Sequence, residues 1–118
     1  MVTALNVANN VLERGFSEDI DITPMKLQKL VYLIYKKYYQ DTDKILFQDR
    51  FEVWKYGPVV RSIYDEFKEF GGNAIKRYSK EKNGSVLIVN EKKQLISESA
   101  LTRYGININY MMGFHYRR

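Results

Sequence analysis

Four lysines, Lys26, Lys29, Lys36 and Lys37, fall within the segment PMKLQKLVYLIYKKYYQ (24–40), interleaved with Tyr32, Tyr35 and Tyr39. Ammonium groups beside aromatic rings on a helix face have the chemistry of phosphate contact and base stacking. The same pattern also describes the wet side of a buried helix. A second cluster surrounds the single tryptophan in FEVWKYGPVVRSIYDEF (51–67), where Lys55 and Tyr56 stand between Trp54 and Gly57-Pro58. Large aromatics beside a Gly-Pro step either lock a chain reversal by packing or edge a surface that grips a partner. On the packing reading, Trp54 and Tyr56 brace the start of a helix. Full burial of the indole would then make Trp54→Ala cost about 3–5 kcal/mol.

Groups suited to catalysis are sparse. The one histidine, His115, stands close to the last residue, and the chain has no cysteine. Disulfides, thiolate zinc sites and cysteine nucleophiles are therefore excluded, which fits a reducing cytosol. Nucleophile-elbow, phosphate-loop and dinucleotide-binding glycine patterns are missing. Asp41 and Asp43 pair two carboxylates, yet no glycine-punctuated calcium loop follows them. Asp65, Glu66 and Glu69 beside Arg61 and Lys68 read as an ion-paired helix surface. The expectation is a protein without catalytic residues, metal or cofactor.

The elements that must position these groups read as mainly α, a small helical domain around a central apolar helix, with a small β-hairpin. At 118 residues, 45% hydrophobic and 28% charged, the chain has the size and composition of one globular domain. A first helix is expected over about 3–14, capped by Thr3 and stopped by Gly15. Thr23 and Pro24 mark the start of the second, over about 24–40. Ile22 is placed to close over Leu27. Its inner stripe is Leu27, Leu30, Val31, Ile34 and Tyr38, with Tyr32, Tyr35 and Tyr39 as a second apolar stripe; Gln28 and Gln40 join the lysines on the polar side. FEVW alternates as a short extended segment, and Gly57-Pro58 predicts a helix restart carrying Val60, Ile63, Tyr64, Phe67 and Phe70 inward to Gly71-Gly72. Asn83-Gly84 suggests a hairpin turn, and 91–104 a fourth helix.

Charge is uneven. Residues 1–72 hold ten Lys/Arg against eleven Asp/Glu, while 73–118 hold nine against three, a balance of +6. A basic end can meet phosphate or an acidic partner, or it can be a solvated tail. Asn9, Asn10 and Glu13 near the N-terminus argue against a signal peptide, and no apolar run reaches bilayer length. A cytoplasmic protein without membrane attachment is expected. A DNA-binding regulator stays as an alternative, although no glycine turn joins two short helices as a helix-turn-helix needs.

Lys26-Leu27, Lys29-Leu30 and Tyr32, then Glu52, Trp54, Gly57, Pro58 and Val59, then Tyr64 and Phe67, make up two ordered motifs that resemble the Panacea domain. That family includes GepA-like prophage-associated proteins and SocA-like antitoxins. The resemblance spans roughly residues 3–72 of a single domain 1–118 and leaves 73–118 as a basic, divergent end. It implies a compact, mainly helical fold without enzymatic activity. It further implies an antitoxin that neutralises a toxin by direct contact, in one branch delivering it to a Clp-type protease. Short members are also linked to inhibition of a type II CRISPR nuclease, the alternative partner. The family's later Leu-x-x-Leu-Thr-His segment has no counterpart in ININYMMGFHYRR, although Tyr104-Gly105 matches the helix end before it. The expected partner-binding residues are Lys29, Tyr32, Lys55 and Tyr56, followed by Tyr110, Met111 and Phe114; the last three, with Met112 and Tyr116, are equally suited to covering the core. Leu27, Leu30, Trp54, Gly57, Pro58, Tyr64 and Phe67 are expected as the structural motif.

Overall fold

Thr3 and Asn6 open the first helix by reciprocal bonding. The Asn6 N–H donates to Thr3 Oγ1 at 3.2 Å, and the Thr3 N–H donates to Asn6 Oδ1 at 2.9 Å. This is a capping box with an amide in the usual acidic position. The computed structural model describes residues 2–80. In it α1 spans Ala4–Ser17 and buries Ala4, Val7, Ala8, Val11 and Leu12.

Gly15 does not stop α1, contrary to expectation. The helix runs on to Ser17, and Gly15 lies buried inside it. Its role is close approach: a Cβ there would stand 2.5 Å from Ile22 Cδ1 and 3.1 Å from the Ile20 carbonyl oxygen. Only glycine lets the following turn fold back so tightly. Asp19, with φ of 56°, makes the reversal, and the Ile20 N–H donates to Gly15 O at 2.8 Å.

α2, Pro24–Thr42, starts as its sequence implies, with Lys26 N–H donating to Thr23 Oγ1 at 3.3 Å and Pro24 in the first turn. It ends where Asp43, at φ 58°, turns left-handed and its N–H donates to Tyr39 O at 2.8 Å. The stripe Leu27, Leu30, Val31, Ile34 and Tyr38 is buried, and α2 packs against α1, the hairpin and the third helix. Each such aliphatic side chain contributes about 1.5–3 kcal/mol by burial. Leu30→Ala would remove about 2–5 kcal/mol once the cavity is included. The tyrosine stripe splits: Tyr32 and Tyr35 are half-buried against Phe51, while Tyr39 is exposed.

The Gly57-Pro58 helix restart is overturned. Residues Phe51–Trp54 (β1) and Gly57–Val60 (β2) pair antiparallel, with Phe51 opposite Val60 and Trp54 opposite Gly57. Lys55-Tyr56 forms the turn, and the positive φ, 122°, falls on Gly57. A two-stranded sheet leaves one edge of β2 free of β1, so the missing N–H of Pro58 is tolerated there. Val59 and Val60, β-branched, favour the extended form. Helix α3 therefore begins only at Arg61, runs to Phe67 and tightens into a 3-10 turn, Lys68–Phe70, before Gly71 at φ 56°. Val60, Ile63 and Phe67 face the core as expected, but Tyr64 is 38% exposed on the outside.

The chain then returns across α1. Ile75 N–H donates to Ile22 O at 2.8 Å. Asn9, fully buried, holds the Ser79 backbone at both ends: its Nδ2 donates to Ser79 O at 2.9 Å, and its Oδ1 accepts from Ser79 N–H at 2.8 Å. The ion-paired surface centres on Arg77, whose guanidinium meets Glu69 at 2.6 Å and Glu66 at 3.8 Å and lies over the Phe67 ring. The hairpin expected at Asn83-Gly84 and the helix expected over 91–104 lie outside the described residues. No helix among those described is long and apolar enough to cross a membrane.

Candidate functional site

Between α2, the hairpin and α3 lies a cavity of about 520 Å³. One face of α2 supplies Met25, Gln28, Lys29, Tyr32 and Leu33; these are spaced at helical intervals, so they share a side. The hairpin supplies Trp54, Lys55, Tyr56, Pro58 and Val59, and α3 supplies Ile63 and Tyr64. Four residues expected at a partner surface, Lys29, Tyr32, Lys55 and Tyr56, line this groove together, although they come from motifs more than twenty positions apart. Tyr110, Met111 and Phe114 lie outside the described residues.

The walls are held by specific contacts. Tyr32 is fixed edge-on against Phe51 at 5.3 Å between ring centres. Trp54 stands edge-on to Tyr64 at 4.7 Å, and the Arg61 guanidinium lies 4.8 Å over the indole. The indole N–H donates to Glu52 Oε1 at 2.8 Å, and Arg61 reaches the same oxygen at 3.2 Å. The Trp54 N–H first, and then Arg61, hold the Glu52 carboxyl below the usual carboxylate value. Trp54 is thus half-buried and braces the hairpin against the outer side of α3. Tyr56 does not share that role; it is 69% exposed on the groove lip, with Lys55 Nζ over its ring at 5.3 Å.

Gln28 joins α2 to the hairpin. Its Nε2 donates to Val60 O at 3.1 Å, and its Oε1 accepts from Val60 N–H at 3.0 Å. Sequence reasoning placed Gln28 on the polar face with Gln40, yet it is buried. The available signal was its place on the flank of the apolar stripe, between Leu27 and Tyr32.

Among the described residues, the lining carries two ammonium groups and no carboxylate. Among the described residues neither Lys29 nor Lys55 lies in an ion pair, whereas Lys37, Lys68 and Lys76 do. Asp41 and Asp43, the paired carboxylates after α2, are engaged locally, Asp41 with Lys37 at 3.3 Å and Asp43 as the helix-ending residue. The described residues hold no cluster of three metal-ligating side chains. The arrangement suits recognition: a preformed apolar trough with a few polar points that fix orientation.

Residues 27–108 match the family described as "Antitoxin SocA-like, Panacea domain", so the chain belongs to that family. The match starts one residue after Lys26, takes in the rest of both motifs and Tyr104-Gly105, and stops before Tyr110. Over 70 residues, 59% of this chain, it is 37% identical to a protein named Antitoxin SocA from Caulobacter vibrioides (strain NA1000 / CB15N). That alignment spans 37% of the relative's length. No solved structure matches the chain significantly.

Proposed function

We propose that this protein is a non-enzymatic antitoxin that neutralises a toxin by direct contact through the groove between α2, the hairpin and α3. Family membership supports the antitoxin role. One observation carries the choice of surface: Met25, Tyr56 and Tyr64 are 50%, 69% and 38% exposed, and all three line the same cavity. Exposed large apolar groups gathered in one concavity are unusual unless something covers them. Aromatic residues rimmed by polar ones also match the make-up of interface hot spots.

The test is growth rescue. Small proteins encoded beside this gene are expressed singly, and any that arrest growth are co-expressed with the chain. Rescue by the wild type and failure by a Lys29→Ala/Tyr56→Ala variant, changed only at exposed groove positions and of unchanged melting temperature, is the expected result. If neighbouring products are harmless, or toxic whether or not the chain is present, the antitoxin reading fails. Rescue by the variant would place the contact elsewhere.

A further inference from the structure

The groove's chemistry narrows what it can hold. Strand addition is one general mode of peptide recognition, and helix-in-groove packing is another. Addition to β2 needs free backbone groups on the edge that faces α2. At that edge both polar backbone groups of Val60 are already taken by Gln28. Pro58, two residues earlier and so presented to the same edge, has no N–H to give. The strand beside the groove is closed to an added strand, and recognition there must go through side chains.

The shape favours a helix. From Met25 to Leu33 the α2 wall is two turns long, about 12 Å. The opposite wall, Trp54, Val59 and Tyr64, is apolar, and buried Ile63 lies between them. Charge sets the other half of the requirement. Lys29 on one wall and Lys55 on the other have no carboxylate beside them among the described lining residues, so complementarity calls for acidic groups on the occupant. We infer that the groove takes the apolar face of a short acidic amphipathic helix, with apolar side chains at i and i+3 or i+4 on the floor and flanking carboxylates meeting Lys29 and Lys55. This rests on the antitoxin reading only in assigning that helix to the neutralised protein.

The single tryptophan lines the groove, so its fluorescence reports occupancy. Random peptides about three to four helical turns long, displayed on phage, are selected on the immobilised full chain and then synthesised. The expected winners have apolar residues at helical spacing with Asp or Glu beside them. They shift Trp54 emission on binding, gain helicity, and lose about tenfold or more in affinity for Lys29→Glu/Lys55→Glu. A Lys44→Glu control, at an exposed lysine away from the groove, should bind them as the wild type does. The proposal is overturned if winners lack helical spacing or carboxylates, if they bind the charge-reversed chain equally, or if none is enriched. It is also overturned if a labelled DNA duplex shifts Trp54 emission with an affinity that collapses between about 50 and 200 mM salt. Growth rescue without acidic-helix binding would leave the antitoxin standing with another contact. Acidic-helix binding without rescue would leave the groove chemistry standing and remove the antitoxin.

Discussion

Gln28 holds Val60 through both of its backbone polar groups, so one side chain of α2 pairs with the outer edge of β2 as a neighbouring strand would. Asn9 grips Ser79 in the same two-point way. Each buried amide satisfies an N–H and a C=O that burial would otherwise leave orphaned. The two clips tie segments of irregular pairing to helices already fixed by the core. The groove owes its shape to the first of them, because Gln28 sets where β2 stands relative to α2.

Gln28→Ala should therefore destabilise more than a typical helix-face substitution. Two buried backbone groups lose their partners, each at about 1–3 kcal/mol. A total of about 2–6 kcal/mol is expected, a large share of a small domain's stability. Urea denaturation followed by circular dichroism measures it. A loss under about 1 kcal/mol would mean that water or a neighbour replaces the amide and that the clip does not position the hairpin.

Gly15→Ala sets two effects against each other. Removing a mid-helix glycine favours the helix by about 0.5–1 kcal/mol. The new methyl group, however, meets Ile22 Cδ1 at 2.5 Å, and Ile22 is 2% exposed and cannot swing into solvent. Overpacking of this kind costs about 1–3 kcal/mol, so net destabilisation is expected. Ile22→Val removes the clashing Cδ1 atom. In the Gly15→Ala background it should cost less than it does alone, or even stabilise. A double-mutant cycle with strictly additive effects would show that the turn relaxes instead.

These two residues mark how far the sequence could be read. Local signals were legible: the Thr3 and Thr23 caps, Pro24, and the Leu27–Tyr38 stripe depend on neighbours within one or two turns. Gly15 and Gly57 misled because glycine near a helix end signals a stop or a cap, while here their reasons are a close approach by Ile22 and a positive φ in a hairpin. Gly57-Pro58 suits a helix start as well as a strand, and only pairing with β1 decides between them. The flank position of Gln28 hinted at burial, but its partner, 32 positions away, was illegible. Lys29, Tyr32, Lys55 and Tyr56 could each be named from their motifs. That they share a groove follows from the clip, which no local pattern encodes.

Trp54→Ala should cost less than full burial implies. The indole is half-buried, and its principal losses are the edge contact with Tyr64, the Arg61 stacking and the bond to Glu52. An aromatic pair contributes about 0.5–1.5 kcal/mol, and a half-exposed cation–π contact adds less than about 1. A loss of about 1–2 kcal/mol by thermal denaturation is expected, in place of the 3–5 kcal/mol of a core tryptophan. A larger loss would mean that the ring is packed more deeply than its contacts indicate.

Acid should loosen the hairpin through Glu52. Its carboxyl is held below 4.5 by the Trp54 N–H and by Arg61, so the folded state binds that proton less readily than the unfolded chain does. The stabilisation is present above the unfolded value of about 4.5 and is lost as pH falls through the lower, folded value. As pH falls through that window, the wild type should lose its advantage over Glu52→Gln, whose neutral amide has no charge to lose. Urea denaturation of both proteins in steps from neutral pH to well below 4.5, with Trp54 emission as the probe, measures the difference. If the gap between the two proteins stays constant across the window, the Glu52 charge does not hold the indole in place.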